Sequence, residues 1–238
     1  MIGCDCEVCT STDSKDNRLR SSVMISSPTT RVVIDTTPDF RYQMLRTGTK
    51  HIDAVVFTHP HKDHIAGLDD IRAFNFFSRK PMELYANAIT QEALRRDFYY
   101  AFADNKYPGV PEINLNMIES EPFQVGDITF VPIEVSHLRM PVLGFRIGGL
   151  TYITDANAIS DVEKKKILGS DVLVLNALRK EKHISHFNLS EAIELAQELN
   201  VPNSYFTHIS HQLGLHAEVM SELVEGIQLA YDGLVLTV

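Results

Sequence analysis

Short apolar runs alternate along this chain with stretches of helical period. RVVID (31–35), DAVVFTH (53–59), DITFVPIEV (127–135), LGFRI (143–147), LTYIT (150–154), DVLVLNA (171–177) and NSYFTH (203–208) are brief and rich in β-branched and aromatic residues, so they are expected as strands. Between them, IAGLDDIRAF (65–74) sets Ile65, Leu68, Ile71 and Phe74 at three-residue spacing, and ITQEALRRDFYYAF (89–102) is built from good helix formers. NLSEAIELAQEL (188–199) opens with Asn188 and Glu191 as an N-cap and N3 pair. LHAEVMSELVEGI (215–227) predicts one more helix before a last apolar run, GLVLTV. The Gly148-Gly149 pair between LGFRI and LTYIT predicts a hairpin. Strands mixed with helices, some of them in hairpins, indicate α/β layers with mixed sheets.

Composition narrows the class without naming a chemistry. The chain has 238 residues, 44% of them hydrophobic, enough for one sizeable core, so residues 1–238 are expected to form a single domain or a fold with two similar halves. A formal net charge of -9 argues against loose, charge-driven binding to nucleic acid or anionic lipid. No apolar run approaches the roughly 18 residues of a membrane span, and MIGCDCEVCTSTDSKDNRLR lacks a signal peptide's order, which makes the cytoplasm the expected location. RAFNFFSRK (72–80) and RRDFYYAFADNKYPGVPE (95–112) interleave aromatics with charge, as a core edge, a pocket mouth or a homodimer contact would. All three cysteines, Cys4, Cys6 and Cys9, lie within residues 1–22. Their C-x-C-x2-C spacing suits either three quarters of a tetrahedral zinc site or three reduced thiols.

The densest chemistry is FTHPHKDHIAG, residues 57–67. Pro60 pushes the chain before it toward extended geometry, so His59 and His61 cannot sit at helical spacing. In extended chain they point the same way and can reach one cation, while Asp63 and His64, at the start of a helix, turn toward a neighbouring point. A catalytic metal site takes about three protein ligands and keeps a position for water. Further candidates stand where apolar runs end: His137 after DITFVPIEVS, Asp155 after LTYIT and His208 in NSYFTH. Each alone is more often a turn former or a satisfied partner; together with residues 59–64 they form a set.

T-H-x-H-x-D-H followed by distant His, Asp and His closely resembles the metallo-β-lactamase superfamily of dinuclear metallohydrolases, nearly end to end. Within it, GCDCEVC, HPHKDHIAGLDDIRAFN, THISHQ and YDGL resemble the phosphodiesterase family that includes phosphoribosyl 1,2-cyclic phosphate phosphodiesterase. The resemblance implies a four-layer αβ/βα sandwich with two mixed sheets. It implies a first metal on His59, His61 and His137, a second on Asp63, His64 and His208, and Asp155 bridging them. It also implies a structural zinc on Cys4, Cys6, Cys9 and His211. Zinc β-lactamases use a cysteine at the second site, and none follows Cys9 here, so β-lactam hydrolysis is disfavoured. The family pattern carries a strand ahead of the cysteines, and a chain opening at MIGC is expected to lack it.

Two divalent ions, zinc or manganese, lower the pKa of water to roughly 7. Two such ions less two carboxylates leave a positive centre suited to a phosphodiester. Asp63 is the expected proton acceptor for water, and the resemblance implies that His186, just ahead of a predicted helix start, is the general acid, with His183 as runner-up. Asp35 is a candidate acceptor orienting a ligand histidine, while Arg41 and Arg139 are candidate phosphate contacts by charge alone. The expected function is hydrolysis of a small, cyclic phosphodiester. The alternatives are a lactonase or thioesterase, an RNA-processing nuclease, and a noncatalytic metal-binding module. The nuclease would need a basic arm that this acidic chain does not show.

Overall fold

The computed structural model describes residues 1–238, which form two compact units: Arg20–Pro132, and Met1–Leu19 with Ile133–Val238. The N-terminal segment carries one helical turn, α1 (Glu7–Thr10).

In the unit Arg20–Pro132 a five-stranded sheet runs in chain order: β1 (Val23–Ser26), β2 (Arg31–Ile34), β3 (Ala54–Val56), β4 (Met82–Ala86) and β5 (Ile113–Met117). The β1–β2 pair is antiparallel and every later pair parallel. Parallel neighbours need crossovers, and helices supply them. α2 (Phe40–Arg46) joins β2 to β3. α3 (Lys62–Ile65), a 3-10 turn (Leu68–Ile71) and α4 (Arg72–Ser78) join β3 to β4, and α5 (Ala88–Asp97) with α6 (Tyr99–Phe102) joins β4 to β5. Val33, Val55, Phe57, Leu84 and Leu94 form the core with Phe40, Ile65, Leu68 and Ile71. Only glycine fits position 67: a Cβ would lie 2.1 Å from the Thr37 carbonyl oxygen and 2.7 Å from the Phe40 Cβ. That close approach seats the chain leaving α3 against the strand end after β2, where the Gly67 N–H donates to the Thr36 carbonyl at 2.9 Å. β6 (Phe123–Val125) pairs antiparallel with the start of β7 (Ile128–His137).

The second sheet has the order β10-β7-β8-β9-β11-β12-β13. Its remaining strands are β8 (Met140–Ile147), β9 (Leu150–Tyr152), β10 (Ala158–Ile159), β11 (Val172–Asn176), β12 (Asn203–Thr207) and β13 (Ile227–Leu229). β8 and β9 form the expected antiparallel hairpin, whereas β9, β11, β12 and β13 are parallel. α7 (Asp161–Ile167), α8 (Leu189–Glu198) and α9 (His216–Glu222) accompany them. α8 begins with a full capping box of Asn188 and Glu191, as its sequence predicts. Ala192, Leu195 and Ala196 of α8 join Leu173, Leu175 and Phe206 in this unit's core.

The fold class is therefore the α/β one expected, with two mixed sheets and helices. Several boundaries differ from the pattern. The helix expected over 89–102 breaks at Phe98, whose backbone leaves the helical region (φ -116°, ψ 37°) as its ring turns into the core. The helix expected over 215–227 stops at Glu222, and Ile227 instead opens a strand; GLVLTV is not a strand. β1, β4, β5 and α7 carry polar residues through their apolar pattern and were not distinguished by it.

Candidate metal centre

In the unit Arg20–Pro132, β2 and β3 lie side by side with Ile34 opposite Val56, so the residues that follow each strand meet. Asp35, fully buried and at φ 66°, accepts hydrogen bonds from the Thr58 N–H at 2.9 Å and the Thr58 hydroxyl at 2.8 Å. The same carboxylate lies 2.7 Å from His64 Nδ1. Asp35 thus takes the orienting place suggested by the sequence. Burial pushes its carboxyl up from the usual range, opposed by His64 and Thr58. A bond at Nδ1 puts the His64 lone pair on Nε2, the tautomer that ligates a cation. Thr58 does the same for His59, its Oγ1 standing 2.9 Å from Nδ1. His59 Nε2 and His61 Nδ1 face each other at 3.1 Å, and Asp63 Oδ2 is 3.5 Å from His64 Nε2. His61 is the N-cap of α3 and extended (ψ 149°), as an N-cap residue usually is. Four donors from six consecutive residues therefore converge.

The second unit assembles its own set from four strand ends and loops. His137 closes β7, and its Nδ1 donates to the Ser185 carbonyl at 2.7 Å, leaving Nε2 to serve as the ligand atom. Asp155 sits at φ 55° and is 2% exposed. The next residue is clamped by the Asn176 amide, which accepts from the Ala156 N–H at 2.8 Å and donates to its carbonyl at 3.0 Å. Thr154 donates to Asp155 Oδ1 at 2.6 Å. The two carboxylate oxygens then serve different rings: His208 Nε2 lies 3.2 Å from Oδ1 and His186 Nε2 lies 3.2 Å from Oδ2. His208, like Asp155, is left-handed (φ 53°) at the end of its strand. Donor atoms of His137, Asp155 and His186 all fall within 4.8 Å of one another. His183 Nδ1 stands 3.1 Å from His186 Nδ1, and burial, with the charge of His186, holds His183 below the ordinary histidine range.

A third set is separate in residues and in chemistry. Cys4, Cys6, Cys9 and His211 bring their donor atoms within 4.8 Å of one another. His211 Nδ1 is 3.5 Å from Cys4 Sγ and 3.4 Å from Cys6 Sγ, and the imidazole draws the Cys6 thiol down to about 6. Three sulfurs and one imidazole nitrogen fit a tetrahedral structural zinc. The cysteine segment is fastened to α9: Arg18 donates to His216 Nδ1 at 3.1 Å, and Asp16 accepts the His216 N–H at 2.7 Å. The all-histidine and carboxylate donors of the other two sets fit a harder divalent ion. Arg41 and Arg139 are exposed. Sequence reasoning did not single out Thr58, Asn176 or Ser185; the only signal was Thr58 itself, in a Phe-Thr-His ending that β12 repeats at Phe206–His208.

Residues 30–209 match the family described as the β-lactamase superfamily domain. A solved diphosphatase of the PhnP family is 42% identical, with a TM-score of 0.91 over 98% of this chain and 90% of that one. An octanoyltransferase of Porphyromonas gingivalis (strain ATCC BAA-308 / W83) is 37% identical over 236 residues, 98% of this chain but 48% of the relative, so the chain spans about half that protein's length. Zinc-bound PqqB of Methylobacterium extorquens shares the fold at 20% identity, with a TM-score of 0.75 over 100% of this chain and 95% of that one. With identities of 37% and 42% running nearly end to end and the family match covering residues 30–209, this chain belongs to the metallo-β-lactamase superfamily.

Proposed function

We propose that this chain is a dinuclear, metal-dependent phosphohydrolase that cleaves a small phosphodiester, preferably a cyclic one. The observation that carries the assignment is the buried Asp155 carboxylate, set among histidines, with Oδ1 3.2 Å from the Nε2 of His208, a proposed metal ligand, and Oδ2 3.2 Å from the Nε2 of His186, the proposed general acid. His59, His61 and His137 would hold one divalent ion, Asp63, His64 and His208 the other, with Asp155 shared. Zinc or manganese ions held there would supply Lewis acidity and bring the pKa of water toward roughly 7. Asp63 takes the proton as the water oxygen bonds to phosphorus. His186 gives the Nε2 proton to the ester oxygen as the P–O bond breaks. Asp35, Thr58 and the Ser185 carbonyl hold the ligand imidazoles in the required tautomer. Cys4, Cys6, Cys9 and His211 would hold a third, structural zinc.

Charge supports phosphorus over carbonyl substrates: two divalent ions against two carboxylates leave a positive centre that a diester anion and hydroxide neutralise. The 42% identity to a diphosphatase favours a second P–O substrate, a substituted diphosphate, cleaved by the same groups. The octanoyltransferase name belongs to a protein about twice as long, and acyl transfer finds no separate support in these donor sets. Turnover of bis(p-nitrophenyl) phosphate, p-nitrophenyl phosphate, a lactone and a thioester, on metal-stripped protein refilled with zinc or manganese, tests the assignment. Metal-dependent cleavage of the diester with loss of at least about 100-fold in Asp63→Ala is the expected result. Turnover of the lactone or thioester alone would overturn it.

A further inference from the structure

Ser185 touches three histidines of the second unit. Its carbonyl accepts from His137 Nδ1 at 2.7 Å, and its hydroxyl stands 3.1 Å from His186 Nδ1 and 3.3 Å from His183 Nδ1. The two Nδ1 atoms are themselves 3.1 Å apart, with ring centroids at 4.9 Å. At that separation two lone pairs or two N–H groups repel, so one proton lies between them. The Ser185 backbone N–H donates to His183 Nδ1 at 3.4 Å, which makes that nitrogen an acceptor and His186 Nδ1 the donor of the pair. On the other side of its ring, His186 Nε2 faces Asp155 Oδ2 at 3.2 Å. A carboxylate only accepts, so Nε2 carries a proton as well. His186 is buried and His183 half-buried. The loop leading to His183 is tied down by the Arg179 guanidinium, which donates to the Glu181 and Lys182 carbonyls at 3.3 and 2.8 Å and to Gln212 Oε1 at 2.9 Å.

This arrangement supplies what a histidine acid needs. A neutral imidazole has a single N–H, and giving it up would leave an anion, so Nε2 can release its proton only from a ring that also holds one on Nδ1. At His64 and His137 a partner on Nδ1 leaves Nε2 bare for a cation; at His186 both nitrogens face acceptors. We propose that His183 is a positioning residue for the acid: with the Ser185 hydroxyl it accepts from His186 Nδ1 and keeps there the proton that lets His186 donate through Nε2. When the Nε2 proton passes to the ester oxygen as the P–O bond breaks, His186 is left neutral with its Nδ1 proton. His183 stays neutral throughout, its own proton on Nε2. The proposal rests on the phosphohydrolase assignment above.

The test compares leaving groups on zinc-loaded protein: methyl phenyl phosphate, whose leaving oxygen needs a proton, against methyl p-nitrophenyl phosphate, whose leaving oxygen needs little help. His183→Phe is expected to slow the phenyl ester about 100-fold in kcat and the nitrophenyl ester less than about threefold, with KM unchanged for both. His183→Asn, whose amide oxygen can accept where Nδ1 does, should recover most of the loss. Equal losses on the two esters, or a His183→Asn protein no better than His183→Phe, would show a merely structural role and overturn the proposal. A second readout needs no turnover. In zinc-loaded protein with isotopically labelled histidine nitrogen, NMR should find one proton coupled to both His186 Nδ1 and His183 Nδ1, and its absence would also overturn the proposal. Failure of the wild type to cleave either ester while that proton is present would instead count against the phosphohydrolase assignment, and would remove the acid role with it.

Discussion

At the scale of single residues, what distinguishes this chain is how its ligand histidines are held. Asp35 and the Ser185 carbonyl each take one ring nitrogen, of His64 and His137 respectively, and so decide which nitrogen would be presented to a cation. Asp35→Ala is expected to weaken metal affinity about 10- to 100-fold while leaving all ligands in place, measurable by competition with a chromogenic chelator. Asp155→Asn keeps shape but removes the charge expected to bridge two ions, and should lower bound metal per chain and diester turnover together. Undiminished metal content in that variant would exclude the bridge. The histidines and aspartates were legible as candidates because residues 59–64 crowd four of them together and the family resemblance singles out the distant ones. Ser185 was not, because its contribution is a backbone carbonyl, which every residue has. Thr58 and Asn176 were not, because a hydroxyl or amide serves many purposes, and only its neighbours show which.

At the scale of elements, the functional residues sit where strands end in left-handed backbone. Asp35, Asp155 and His208 have φ of 66°, 55° and 53°, each just past a strand. That conformation is unfavourable for a residue with a Cβ, and the bonds around each carboxylate or ring maintain it. Element starts were readable where a side chain announces them. The Asn188 cap is one, and Asn188→Ala is expected to cost about 1 kcal/mol in chemical denaturation. The break at Phe98 was not readable, since residues 89–102 are uniformly good helix formers and the cause is a partner outside the segment. Arg96 and Lys62 hold the Asp97 carboxyl down to about 2, so this group favours the folded state above the ordinary aspartate pKa of about 4 and ceases to as pH falls toward 2. The stability difference between wild type and Lys62→Met should therefore be present at neutral pH and vanish over that acid range. A difference undiminished at pH 2 would show that the Lys62–Asp97 pair does not contribute this way.

At the scale of the whole molecule, this is a member of the metallo-β-lactamase superfamily whose donor sets come in two chemistries, and metal content should report both. Three ions per chain are expected by elemental analysis, two exchangeable to manganese and one zinc resisting exchange; Cys6→Ser should lose only the last. A net charge of -9 gives long RNA no electrostatic hold, so precursor RNA is expected to remain uncut under conditions where a small diester turns over. No helix is long and apolar enough to cross a membrane. The sequence by itself determined the fold class, most strands, the capped helix and which histidines, aspartates and cysteines are candidate donors, because alternation, capping and side-chain chemistry are legible along the chain. Only the tertiary structure decided which residue orients which imidazole, the 3.5 and 3.4 Å at which His211 meets Cys4 and Cys6, and that the helix over 89–102 breaks at Phe98. Those outcomes depend on contacts between residues far apart in the chain, and no local pattern encodes a distance that only folding closes.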